Sequence, residues 1–198
     1  MQDVKSNQLL HFDQFQSHSN KVEEKDIIET IFEKVENTGI TYKHRENKYI
    51  DFKMNRLALK QSSMSGPKIS VADVNGDGID DIFIGGAFDQ PDALFLSNSN
   101  GTFVKSNQEF WSHTKIFETT GSTFFDADND GDLDLYVVSG GSELYRDSSA
   151  LMDRLYINDG NGNFKKAPDS ALPIAYSNGS IVIEGDYDRD GYVDLFVG

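Results

Sequence analysis

The chain has 198 residues, no cysteine, 33 acidic against 18 basic residues and a formal net charge of −15. That is material for one or two domains, with no disulfide staple and no thiolate metal site. It argues against nucleic acid or anionic membrane as a partner, because both are bound through basic patches. No run of about 18 apolar residues predicts a membrane span. The N-terminus lacks the basic and apolar regions of a signal peptide as it stands.

Residues 1–24 are polar, without an apolar period, and read as a flexible leader. Residues 25–36 place Ile27, Ile28, Ile31, Phe32 and Val35 at helical spacing. The same stretch also reads as a strand leading into the first repeat.

From about residue 66 the chain repeats itself, which predicts an array of similar units. ISVADVNGDGIDDIFIGG, TFFDADNDGDLDLYVVSGG and IVIEGDYDRDGYVDLFVG align on Asp73, Asp126 and Asp186. FLSNSNGTF and YINDGNGNF follow the first two, each with an Asn-Gly turn between apolar runs, the signature of a hairpin. Four short strands in each unit predict an all-β fold of propeller blades, about four antiparallel strands per blade, over residues 25–198. A sandwich of irregular hairpins is the runner-up; solenoid coils are much shorter than this period. Three such units are too few to close a ring, and the chain stops at Phe196-Val-Gly198 where the first unit continues. The expectation is therefore an incomplete propeller, cut within a blade.

The aligned loops share the pattern Asp-x-(Asp/Asn)-x-Asp-Gly-x-x-Asp. The members are Asp73, Asn75, Asp77, Gly78 and Asp81; Asp126, Asp128, Asp130, Gly131 and Asp134; and Asp186, Asp188, Asp190, Gly191 and Asp194. Eleven of the 33 acidic residues occupy these positions. Aspartate, asparagine and glycine also favour ordinary turns. Turn-making does not require four mutually repelling carboxylates within nine residues, whereas a cation does. Calcium takes six to eight hard oxygen ligands in a forgiving geometry. Side chains at positions 1, 3 and 5 converge as the loop curls, and glycine at position 6 permits the turn. The carbonyl at position 7 (Ile79, Asp132 or Tyr192) then turns inward, and the aspartate at position 9 closes the shell. About three calcium ions are expected. Magnesium accepts fewer protein ligands and stricter geometry.

An EF-hand would need a bidentate glutamate at position 12 and flanking helices. Position 12 is Ile84, Val137 or Val197, inside an apolar run. These are loops between strands.

The loops, with Phe83-Ile-Gly-Gly-Ala87 and the Gly140-Gly141 pair, resemble the FG-GAP/VCBS-type repeats of integrin α-chain propellers and bacterial surface proteins. Thr38-Gly-Ile-Thr-Tyr-Lys-His44, Gly66-Pro67 and Asp153-Arg-Leu-Tyr-Ile-Asn-Asp159 look closer to the bacterial VCBS-repeat proteins associated with an ASPIC/UnbV domain. That resemblance implies calcium-binding propeller blades in an exported, extracytoplasmic protein, often a surface lipoprotein; adhesion-like binding of a protein or glycan on a propeller face is a separate expectation. A third reading, one piece of a larger outer-membrane assembly, fits the missing blades.

His11, His18, His44 and His113 show no metal-ligand spacing, and Trp111 reads as a packed blade aromatic rather than a sugar platform. The sequence contains no G-x-S-x-G, HExxH or P-loop pattern. The clustered aspartates are already assigned to loops, leaving no spare pair for glycosidase chemistry. The expectation is a non-enzymatic binding module. Its alternative is the scaffold of a polysaccharide-active enzyme.

Overall fold

The computed structural model describes residues 32, 34–53, 56–57, 59, 63–64, 66–144 and 148–198. The proposed leader and most of residues 25–36 lie outside them. Phe32, Lys34 and Val35 belong to a first unit, Met1–Val35; all other described residues belong to a second, Glu36–Gly198.

Ten strands form three antiparallel sheets of four, four and two strands. The first sheet is β1 (Ile69–Ala72), β2 (Asp81–Ile84), β3 (Ala93–Ser97) and β4 (Phe103–Ser106), in chain order. A one-turn helix α1 (Gln108–Trp111) follows. The second sheet repeats the order with β5 (Thr119–Phe125), β6 (Asp134–Ser139), β7 (Arg154–Asn158) and β8 (Phe164–Lys166). The last is the hairpin β9 (Val182–Gly185) and β10 (Asp194–Val197). Two four-stranded meanders and a third hairpin in the same register are the blades of an incomplete propeller.

Blade interiors explain why the middle strands read as unbroken apolar runs rather than alternating ones. All six residues of β6 are buried, because neighbouring sheets cover both of its faces. Between the first two blades, Val74, Phe83 and Leu94 meet Leu135, Val137, Tyr156 and Phe164. Trp111, on α1, fills the space between them and is 1% exposed. Its ring meets Phe110, Tyr156 and Phe83 at centroid separations of 4.8, 5.2 and 5.4 Å, in tilted or edge-to-face arrangements. A second cluster joins Phe125, Tyr136 and Val138 to Val182 of the third hairpin. The outward residues of that hairpin, Ile183 and Phe196, stay exposed.

Carboxylates fasten the first two blades at the C-terminal end of the second strand. Asp92, just before β3, accepts the Gly86 N–H at 2.7 Å, and Asp153, just before β7, accepts that of Ser139 at 2.9 Å. Asp92 also holds the blades together. Its Oδ2 lies 2.9 Å from Nη1 of Arg154 on β7, with both side chains buried. The guanidinium also donates to Thr119 Oγ1 at 2.7 Å and stacks 4.3 Å from the Phe117 ring centroid. Breaking such a pair strands a buried charge, at a cost of about 3–5 kcal/mol.

Candidate metal sites in the aspartate loops

Each loop runs from the end of one strand to the start of its antiparallel partner: β1 to β2, β5 to β6 and β9 to β10. The carboxylates wind the backbone. Asp73 Oδ1 accepts the Gly76 and Asp77 N–H groups at 2.8 and 3.2 Å, and Oδ2 accepts that of Gly78 at 2.7 Å. Asp126 Oδ2 accepts from Gly131 at 3.0 Å, and Asp186 Oδ2 from Gly191 at 3.1 Å. The position-5 aspartates Asp77, Asp130 and Asp190 accept the N–H of Ile79, Asp132 and Tyr192 at 2.8, 3.0 and 2.8 Å. Gly78, Gly131 and Gly191 take φ of 83°, 95° and 92°, as the sharp turn demands. Position 4 is left-handed as well: Gly76, Asn129 and Arg189 have φ of 73°, 61° and 65°. Nothing in the pattern marks that position, and a left-handed Arg189 is uncommon for a side chain of its kind.

The position-9 aspartates occupy a different environment. Asp81 and Asp134 are buried and bridge loop to sheet. Oδ2 of Asp81 accepts the Val74 N–H at 3.1 Å, and Oδ1 accepts that of Ser97, at the end of β3, at 2.7 Å. Asp134 repeats this with Ala127 at 2.9 Å and Asn158, at the end of β7, at 2.8 Å. Asp194 accepts from Tyr187 at 2.9 Å.

Among the described residues, two groups of carboxylates converge with oxygens within 4.8 Å of one another: Asp126, Asp128 and Asp130, and Asp186, Asp188 and Asp194. Asp134 and Asp190 stand outside these groups. The first loop forms no such carboxylate group; Asn75 takes its third position, with Oδ1 accepting the Asp77 N–H at 3.0 Å.

The donor set fits a hard cation. Asp126 Oδ1 is buried and has no hydrogen-bond partner, so this aspartate carries an acceptor left without a donor. Charge accumulates around the second loop. The Asp132 carboxyl is pushed up by desolvation and by the charges of Asp130, Asp159, Asp126 and Asp128. Burial also raises Asp134, against the N–H groups of Asn158 and Ala127 and with the charges of Asp128 and Asp130. In the first loop burial acts against Asp73, yet four backbone N–H groups hold its carboxyl below the usual range. A divalent cation would reverse the repulsion in the second loop.

The remaining sequence-selected residues are also placed. Trp111 is core, as its setting in the sequence suggests. His113 is exposed, and His11 and His18 lie outside the described residues. His44 is half-buried and paired with Glu46 at 2.9 Å. Sequence reasoning passed over Glu46, Glu118 and Glu143, which the fold draws into one neighbourhood. Their separation of 25 to 97 residues leaves no local signal.

No helix among the described residues is long and apolar enough to cross a membrane. No curated protein matches the chain. The FG-GAP-like repeat does match, over residues 73–137 and 139–197. The first stretch runs from the first aspartate loop into β6 and the second from the end of β6 through β10, so together they contain all three loops, and the protein belongs to the FG-GAP-like repeat family.

Proposed function

We propose that the chain is a calcium-stabilised, non-enzymatic repeat module, in which calcium locks the β-hairpins and the blades present a surface for a protein or glycan. The observation that carries this reading is the convergence of Asp126, Asp128 and Asp130 within 4.8 Å of one another, together with the buried, unpartnered Oδ1 of Asp126. Three carboxylates at this separation repel strongly, and calcium, with its many oxygen ligands and forgiving geometry, neutralises them. Asp126, Asp128 and Asp130 would hold the ion in the second loop and Asp186, Asp188 and Asp194 in the third. Asp73, Asn75 and Asp77 would supply the first loop with fewer charges. The bound ion supplies electrostatic cross-linking.

Extracellular modules bind calcium at about 10⁻⁴–10⁻³ M. Sites of that strength fill outside the cytoplasm and stay empty within it. This favours an extracytoplasmic home, and the stretches 38–44, 66–67 and 153–159 support membership of the bacterial VCBS-repeat group associated with ASPIC/UnbV domains. Calorimetric titration of the chelator-stripped protein tests the proposal. The unsubstituted chain should bind about three calcium ions. Asp126→Asn combined with Asp128→Asn should bind one fewer, with unchanged circular dichroism in saturating calcium. An unchanged count would show that the second loop is a turn without an ion.

A further inference from the structure

The entries to the first strands of all three blades meet at one polar cavity. Lys68 comes from the approach to β1, Glu118 and Thr120 from the start of β5, Asn178 and Ser180 from the approach to β9, and Ser142 from beyond β6. No single repeat holds this set. The cavity lies at the other end of β5 from Asp126, seven residues or roughly 23 Å away. Its volume, about 330 Å³, falls at the lower end of the range for small-ligand pockets, about 300–1,000 Å³.

Glu118 and Lys68 are the charged residues of its wall. Glu118 is 7% exposed. Its Oε2 accepts the Phe88 N–H at 2.5 Å, and its other oxygen has no partner among the described residues. That oxygen is not one of the sealed, partnerless atoms of the interior, so it keeps open surface in the cavity that Glu118 lines. A nearly buried carboxyl with an open, unmatched oxygen calls for a donor. The charges of Glu143, Glu46 and Asp92 also act on this carboxyl, so the local potential favours a cationic donor. Lys68 does not fill that role: among the described residues no ion pair joins it to Glu118 or to any other acid.

The neutral polar groups divide in the same way. The hydroxyls of Thr120, Ser142 and Ser180 are spent as donors, to Gly179 O at 2.8 Å, Asp51 at 2.5 Å and Gly198 O at 3.1 Å, and keep their acceptor oxygens. Thr120 is the extra residue of a bulge, since the β5–β6 register steps from Thr119 to Gly121, and bulges re-aim side chains. Asn178 Oδ1 accepts the Gly141 N–H at 2.9 Å, which leaves its amide NH₂ as a donor. A guest must therefore bring a cationic donor to Glu118 and an anionic acceptor to Lys68. A divalent cation is disfavoured by Lys68, which shares the wall with a single carboxylate. A neutral sugar would leave both charges unmatched, and no aromatic ring lines the cavity for it to stack on.

We propose that this cavity binds a small zwitterion of the free α-amino acid class, its ammonium on Glu118 and the acceptor hydroxyls and its carboxylate on Lys68 and Asn178. The site is independent of the loop reading. Calorimetric titration of the full chain with L-alanine, in the presence of calcium, tests it. Ethylamine and propionate, which each carry one of the two charges, and glucose are titrated beside it. One L-alanine per chain is expected, with ethylamine and propionate each about 10- to 100-fold weaker, the worth of one hydrogen-bonded charge. Glu118→Gln and Lys68→Met should each weaken L-alanine by a similar factor. The comparison of the three small ligands needs no variant, so it stands even where a substitution fails to fold. No heat with L-alanine at about 10 mM, or an affinity that neither substitution changes, would overturn the proposal. Ethylamine or propionate binding as well as L-alanine would overturn the zwitterion, and glucose binding in its place would make this a sugar site.

Discussion

Glu118 shows how much a single carboxyl can contribute. Burial first, then the charges of Glu143, Glu46 and Asp92, push it up to about 7, with the Phe88 N–H opposing. The unfolded chain loses this proton near the ordinary value of 4.5, so between pH 4.5 and 7 the folded state holds more protons than the unfolded state. Stability must then fall as pH rises through that window. The full effect is on the order of 3 kcal/mol. Urea denaturation in chelator at pH 5 and pH 8 checks it: Glu118→Gln should flatten the decline and be the more stable protein at pH 8. A parallel decline in both proteins would contradict the assignment. Legibility at this scale is uneven. The loop residues declare themselves by spacing, because consecutive positions of one turn surround one point. The bonds of Asp81 to Ser97 and of Asp134 to Asn158 depend on strands 16 and 24 residues away, and spacing within the loop does not reveal them. The glutamate cluster is less legible still, since strand pairing alone gathers it.

Among the elements, the hairpins were legible and the connections were not. Asn-Gly turns between apolar runs mark β3–β4 and β7–β8, where Gly101 and Gly162 take φ of 78° and 75°. The helix α1 covers one turn, too short for a periodic signal. It nevertheless delivers Trp111 to the junction between blades. Trp111→Ala should therefore act as a core truncation, lowering unfolding stability by about 3–5 kcal/mol in urea. A loss below 1 kcal/mol would mean that the junction contributes little. Some backbone requirements are equally hidden. A Cβ on Gly86 would come within 2.1 Å of Gln90 O, so the Gly-Gly pair after β2 serves a close backbone approach.

Across the whole molecule, the repeat period alone pointed to blades, because four short strands per unit can bury their apolar faces only against neighbouring units. The two blade junctions do so through Trp111 and its partners on one side and Val138 and Val182 on the other. Every loop with a proposed ion lies between the first two strands of a blade, so each ion would fasten one hairpin, while Asp81 and Asp134 tie the first two loops to the third strand behind them. The most direct test is thermal unfolding of the chelator-stripped protein during calcium titration. With calcium at about 1 mM and a site affinity of about 10⁻⁴ M, each filled site adds roughly 1.4 kcal/mol. In a domain of this size that is about 3–6 °C in midpoint. The account predicts a saturating rise of at least that size with calcium, and a smaller one with magnesium. No rise with calcium would contradict it, leaving the aspartate loops as turns.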